Sequence, residues 1–430
     1  MKYYLLLFPF LLLSAYSTAQ TSTAKELFRS ARSEFDKEFD EQDYKHAADL
    51  LEQAVKLEPD NAEYHYFLGY AYSRVNSKDG RSIPDMSKEL TSKTSEQFEI
   101  TNKLSPNYTG EKLILDPYSK ISSEWGSLAM KHEAANQPDS VIWALKEGRR
   151  RGGFSDFMLF TMRSALDLCT SGSLLFSSGD AFIFPIMYLQ KVDNYRTDVT
   201  QVAMSLLETE WYPHVIQNKY NLSFGRDKKE LDTLSYCYCT DSIFRIPADI
   251  NKGGPYSWMV RGRKNSYLFR SDRLFLDLLI NNQCKREVYI MSGMPSSDLL
   301  DLNQDLSSLI IVNWLNYEGR HEELSPKEFE TKITALLECM KYVNPDSSDE
   351  LFTVNLLRSK IVSKMITYYE QEDFQSTRRL MQLLNKKIPA NLYPIDDYTQ
   401  ERYEYIRIKL EEIPNGQLVL ARLPEEEIAI

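Results

Sequence analysis

A small, mostly parallel α/β layer set between two helical regions is the fold class this sequence predicts, and three observations predict it. From Leu174 to Leu207 an apolar strand-like run gives way at Gly179-Asp180 to a helix-like segment and then to a second apolar run, the order of a β-α-β unit. On either side the apolar and small residues recur with helical rather than alternating period. Tyr44 precedes Pro59 by the interval that also separates Phe374 from Pro389, so one helical pattern serves both flanks.

The chain has 430 residues, 43% of them hydrophobic, enough for two or three cores and hence more than one module. Its 51 basic and 62 acidic side chains leave a net charge of -11, which opposes the phosphate neutralisation that nucleic-acid binding requires. Nucleic acid is therefore not an expected partner. Residues 1–19 read as a secretory signal: Lys2 gives a positive start, Tyr3 to Leu13 an apolar core interrupted by Pro9, and Ser17-Thr18-Ala19 a cleavage site that would leave Gln20 first. A periplasmic or secreted protein is the expectation, with an uncleaved anchor as the alternative. No later segment is apolar for the roughly 20 residues that crossing a bilayer takes.

Residues 20–153 form the first helical region. Tyr44, Ala47, Leu51, Ala54 and Pro59 resemble the aromatic, small, large, small and proline positions of a tetratricopeptide repeat's second helix. Leu68, Gly69 and Tyr72 fall where the next first helix would want them. Asn76 to Met86, with Gly80 and Pro84, reads as a loop that delays the following helix to Glu89–Leu104. Ser119–Ala135 and Asp139–Arg149 then form a degenerate pair around Trp125-Gly126, closed by Gly152-Gly153. Arg149, Arg150 and Arg151 suit the negative end of that helix, the alternative being an anion-binding patch.

Residues 154–320 are assigned to the α/β domain. Phe154–Cys169 is expected to be a helix, Leu174–Phe176 a strand, Phe182–Val192 a helix, Val199–Leu207 a strand and Trp211–Lys219 a helix. Asn221 to Tyr267 reads as an irregular excursion around Gly253-Gly254-Pro255. Ser271–Asn281 resumes as an amphipathic helix, and Glu287–Met291 and Leu309–Trp314 bring the expected strands to about four. Residues 321–420 return to helices: Pro326–Val343, Glu350–Glu370, a repeat-like hairpin carrying Tyr368, Phe374, Thr377, Met381, Leu384 and Pro389, and Asp397–Glu411. Residues 421–430 are an acidic tail.

Between Leu174 and Tyr393 a second resemblance appears. Gly179-Asp180, Phe184-Pro185, Tyr188-Leu189-Gln190, Arg196, Asp198-Val199, Ser205-Leu206-Leu207, Trp211-Tyr212, Asp272, Asn281-Asn282, Arg286 to Tyr289 and Tyr369 to Phe374 resemble the soluble C-terminal part of Bacteroidetes multi-pass membrane proteins classed as protein O-mannosyltransferase-like. The resemblance implies a bacterial envelope protein. In that family the glycosyl-transfer chemistry is ascribed to a membrane-embedded part that has no counterpart here. The family pattern also places acidic or polar residues after Gly-Asp, where this chain has Ala181 and Phe182.

The candidate ligand-binding residues are Gly179, Asp180, Asp198 and His214. Ligands of open α/β sheets settle beyond the carboxyl ends of strands, where Gly179 and Asp180 are expected. Asp180 has an alternative role as a helix cap. Asp198 has one as the ion-pair partner of Arg196, and His214 follows Trp211-Tyr212-Pro213 at a helix start. No nucleophile motif is present, so no catalytic residue is assigned. No Gly-rich phosphate fingerprint supports a cofactor either. Cys237 and Cys239, with no further ligand close in sequence, do not specify a metal site and read as buried or free thiols, with a disulfide as the alternative. The 27 tyrosines are assigned first to helix packing, with sugar or peptide contact as the alternative. The expected function is a protein- or peptide-binding scaffold of the envelope; the alternative is a glycan-related enzyme or glycan-binding accessory with its site at Gly179-Asp180.

Overall fold

A computed structural model describes residues 23–247, 255–262, 267–317 and 324–413. The expected signal peptide, its cleavage site, Gly253-Gly254 and the acidic tail lie outside these residues. Six helices form three successive hairpins at the N-terminal end: α1 (23–35), α2 (Tyr44–Leu57), α3 (Ala62–Asn76), α4 (Lys88–Leu104), α5 (Pro117–Ala134) and α6 (Pro138–Arg150). Asp43 starts α2 by accepting the backbone N–H of His46 at 2.9 Å. Ala47, Leu51 and Ala54 are fully buried, as repeat spacing requires. Gly69 serves close approach: a Cβ there would stand 3.0 Å from the Phe98 ring of α4. The loop between α3 and α4 contains a 3-10 turn, Gly80–Asp85, whose Gly80 carbonyl accepts a 2.9 Å hydrogen bond from the Trp211 indole. That insertion displaces the fourth helix because it reaches across to the central layer.

After α7 (Asp156–Leu168) the chain enters the layer: β1 (Leu174–Ser177), α8 (Asp180–Lys191), β2 (Thr200–Ala203), α9 (Tyr212–Tyr220), α10 (Lys228–Asp232), β3 (Cys237–Tyr238), β4 (Ser242–Ile246), β5 (Tyr256–Val260), β6 (Tyr267–Leu268), α11 (Arg270–Asn282), β7 (Val288–Met291), β8 (Leu306–Ser308) and β9 (Val312–Leu315). The main sheet has the order β2-β1-β7-β9-β8. β1 pairs in parallel with β2 and β7, while β9 runs antiparallel to both β7 and β8.

Alternation along β1 sorts its side chains into two cores. Leu174 and Phe176 face the core shared with α11 and the N-terminal hairpins, the Phe176 and Phe275 rings meeting edge-on at 4.9 Å. Leu175 joins the opposite core with α7 and the C-terminal helices. Helix α8 is apolar around its circumference because it belongs to both: Ile183, Phe184 and Met187 lie in the first core and Phe182, Ile186 and Leu189 in the second.

The remaining helices are α12 (Pro326–Leu336), α13 (Ser348–Glu370), α14 (Phe374–Lys387) and α15 (Asp397–Glu411). α14 repeats the build of α2, Asp373 capping it by accepting from Ser376 N at 3.1 Å. Arg358 of α13 is buried and donates to the carbonyls of Ile388, Tyr393 and Pro394, fixing the loop beyond α14.

Three expectations need correction. The second strand does not run to Leu207, because Met204–Glu208 turns into a 3-10 helix that buries Met204, Leu206 and Leu207. The fourth apolar run holds β9, which is antiparallel since it returns through a tight turn from β8, a strand too short to show periodicity. The stretch from Asn221 to Tyr267 is not wholly irregular: β4 and β5 pair from Ser242↔Val260 to Ile246↔Tyr256, and β3 pairs with β6.

Candidate functional site: a junction of three helix N-termini

The carboxyl end of β1 opens on a place where α5, α8 and α13 all begin. Each contributes an acidic residue at or near its first turn. Asp116 caps α5 by accepting from Tyr118 N at 2.8 Å and Ser119 N at 3.0 Å. Its other oxygen accepts from Ser119 Oγ at 2.5 Å and from Ser348 N of α13 at 2.7 Å. Asp349, next along α13, donates its backbone N–H to Ser119 Oγ at 3.2 Å. Burial pushes the Asp349 carboxyl up to about 7, and the nearby Asp116 and Asp180 charges push the same way. Positive helix ends act against the mutual repulsion of these carboxylates without cancelling it.

Asp180 does not cap α8. The cap position is Gly179, whose φ of 85° only glycine adopts without strain, and it offers no side chain. The Asp180 carboxylate instead accepts a short hydrogen bond from Ser123 Oγ of α5. Burial raises its pKa, while Ser123 and the positive charge of Lys120 lower it.

Beside this junction lies a cavity of about 310 Å³ between the inner side of the repeats and the layer, lined among others by Arg74, Lys120, Ser123, Glu124, Asp180 and Ser205. Several of its charged groups are already engaged. Lys120 and Glu124, one turn apart on α5 and both buried, meet at 2.9 Å, and Ser73 Oγ bonds to each. Arg74 donates to the Lys78 carbonyl at 2.6 Å. Such a lining can hydrogen-bond a small polar molecule. It offers Asp180 no oriented imidazole with which to form a nucleophile-base pair.

The other candidates lie elsewhere. Asp198 stands at the amino end of β2, opposite Asp180, and is paired to Arg196 at 2.9 Å; hydrogen bonding from that guanidinium holds its carboxyl down at about 2. Arg196 also donates to the carbonyls of Leu166 and Cys169, so the pair clamps the end of α7. His214 on α9 meets Asp232 at 2.7 Å and lines a separate open cavity of about 600 Å³ with Lys131, Glu133, Trp211 and Lys219. The four predicted residues thus fall into three places. The arginine run is consumed by Asp156, Glu147 and Glu99, the structural reading rather than an anion patch. Cys237 and Cys239 carry free, partly exposed thiols. Ser123, Lys120, Glu124, Asp116 and Asp349 were not singled out from the sequence. Only the helix-start signature of Asp116-Pro117 and of Ser347 to Glu350 could have drawn attention to two of them.

Two family models match parts of this chain. Residues 36–76 match a TPR repeat, spanning α2 and α3. Residues 160–246 match the TMEM260-associated domain 2, spanning β1, α8, β2, α9 and β4. None of the curated proteins compared with the chain matches it. The chain accordingly carries one TPR repeat at α2 and α3, and over residues 160–246 it is similar to the TMEM260-associated domain 2.

Proposed function

We propose that this chain is an exported envelope protein that works by binding a protein or peptide partner, without catalysis of its own. The match of residues 36–76 to a TPR repeat carries the reading, because stacked helical hairpins present extended surfaces to other chains. Export rests on the pattern of Lys2, Tyr3–Leu13 and Ser17-Thr18-Ala19. Among the described residues no helix is long and apolar enough to cross a membrane. The partner surface is assigned to α2 and α4, since α5 is packed against α8. Photo-crosslinking residues at Asp49 and Glu96, both exposed, test it in the native envelope. Discrete protein adducts at these positions are expected. Their absence, with the protein present and folded, refutes the reading.

The polar cavity beside Asp180 favours a second reading, a glycan-binding accessory. Ser123→Ala would then weaken retention of envelope glycan by the purified protein while leaving crosslinking from α2 unchanged.

A further inference from the structure

The apolar surface of the molecule is unevenly distributed. Six of the seventeen large hydrophobic side chains exposed among the described residues fall between Tyr236 and Phe269. Four of these are aromatic and close together. Tyr267 of β6 packs on Tyr236 and Tyr238, ring centroids 5.3 and 4.6 Å away, and Phe269, at the cap of α11, lines the same cleft as Tyr267. Tyr238 is 73% exposed, Tyr236 64% and Phe269 57%, so these rings lie at the surface and not in a core. Among the described residues β3 and β6 pair only with each other, and Tyr236, Tyr238 and Phe269 remain mostly exposed.

The aromatic face leads into a cleft of about 180 Å³ whose lining includes Tyr267, Phe269, Asp272, Asp298, Asp301 and Arg261. Three carboxylates thus share it with one guanidinium. That guanidinium is loosely held: Arg261 stands 3.9 Å from Asp301 and is largely exposed. Asp272 accepts from Phe269 N at 2.8 Å, and the charges acting on it, Asp298 and Glu208, are both negative. A cation entering the cleft would relieve that repulsion while its aliphatic stem lay along the rings.

We propose that Tyr236, Tyr238, Tyr267 and Phe269, with the Asp272-Asp298-Asp301 cleft, form a docking site for a basic segment of a partner protein, one lysine or arginine side chain entering the cleft. Charge selects this occupant: an acidic segment would meet three carboxylates on a chain of net charge -11. The site is independent of the helical repeats, so it stands or falls apart from their binding role.

The test uses the full mature chain and a fluorescent hexa-arginine peptide, with binding followed by anisotropy at low salt. Tyr238→Ala and the pair Asp272→Asn, Asp298→Asn are each expected to weaken binding about tenfold. A control pair on the repeats, Asp40→Asn with Asp60→Asn, removes the same charge and is expected to stay within about twofold of the parent. Tyr238→Ala guards against misfolding, because its side chain is exposed whereas Asp272 caps the start of α11. Equal losses in the control pair would reduce the effect to overall acidity and overturn the proposal. So would parent-like binding by Tyr238→Ala, or a hexaglutamate peptide that binds as tightly.

Discussion

Replacing Asp349 by asparagine should make the protein more stable, and more so as pH rises. Burial and the adjacent Asp116 and Asp180 hold the Asp349 carboxyl near 7 in the folded chain, against roughly 3.9 when unfolded. The native state therefore binds a proton that the unfolded state has released throughout that interval. Stability contributed by the protonated form is complete below about pH 4 and is lost as pH climbs to 7. About three pKa units correspond to about 4 kcal/mol at most, and relaxation of the site reduces this to about 2 to 4 kcal/mol. Asparagine is neutral at every pH and can still meet Ser119, so it keeps the contact and removes the charge. With about 2 °C per kcal/mol for a large chain, the melting temperature of Asp349→Asn should exceed the parent's by about 4 to 8 °C at pH 8 and match it at pH 4. Melting curves at half-unit pH steps measure the difference. Parallel profiles for the two proteins, or a variant less stable at pH 8, would refute the account of the junction.

Gly126→Ala places a Cβ 2.1 Å from the Phe184 ring, an overlap that only separation of α5 from α8 relieves; a loss of about 3 kcal/mol in denaturant titration is expected. Glu133 is buried and receives Lys191 at 2.8 Å, Lys219 at 2.8 Å and Tyr220 at 2.7 Å. Burial raises its pKa, but those three donors outweigh burial and hold it below the ordinary range. Glu133→Gln should therefore cost about 3 kcal/mol at pH 7; the deficit should begin to shrink below the unfolded glutamate value of about 4.3 and close only as the folded carboxylate, held lower, is itself protonated. Asp43→Ala and Asp373→Ala each remove a helix cap and should cost about 1 kcal/mol apiece, adding in the double variant since the two helices flank the layer separately.

Much of this architecture was legible because it rests on local rules. The fixed spacing of Ala47, Leu51, Ala54 and Pro59 is a packing requirement of one hairpin, and α2 and α3 follow it. The change from apolar run to helix at Gly179-Asp180 is a backbone requirement, met by a glycine at positive φ. The Arg196–Asp198 pair is two residues apart and needs no tertiary knowledge. What escaped the sequence is non-local. Asp180 looks like a cap because aspartate at a helix start commonly is one; that its carboxylate crosses to Ser123, 57 positions away, depends on how α5 lies against α8. β8 is three residues long and β3 and β6 two, too short for alternation to register. That Asp180 and Asp198 stand apart has a topological reason. Parallel strands place the residue after β1 and the residue before β2 at opposite ends of the sheet.

The packing of α5 ties the repeats to the layer. A repeat helix that turned an open face to ligands would carry exposed polar side chains there. α5 instead places Gly126 beneath the Phe184 ring, Ser123 against Asp180, and a buried Glu133 where one carboxylate answers Lys191 of α8 and Lys219 of α9. Each contact is costly to break. Removing the ring's socket overpacks the interface, and stranding a buried charge costs several kcal/mol. The Trp211 indole, held by the Gly80 carbonyl, extends the same attachment to the insertion between α3 and α4. Inner-face residues of the hairpins are thus committed to holding the β-α-β unit in place. The Asp116–Ser348 contact then carries the attachment on to α13.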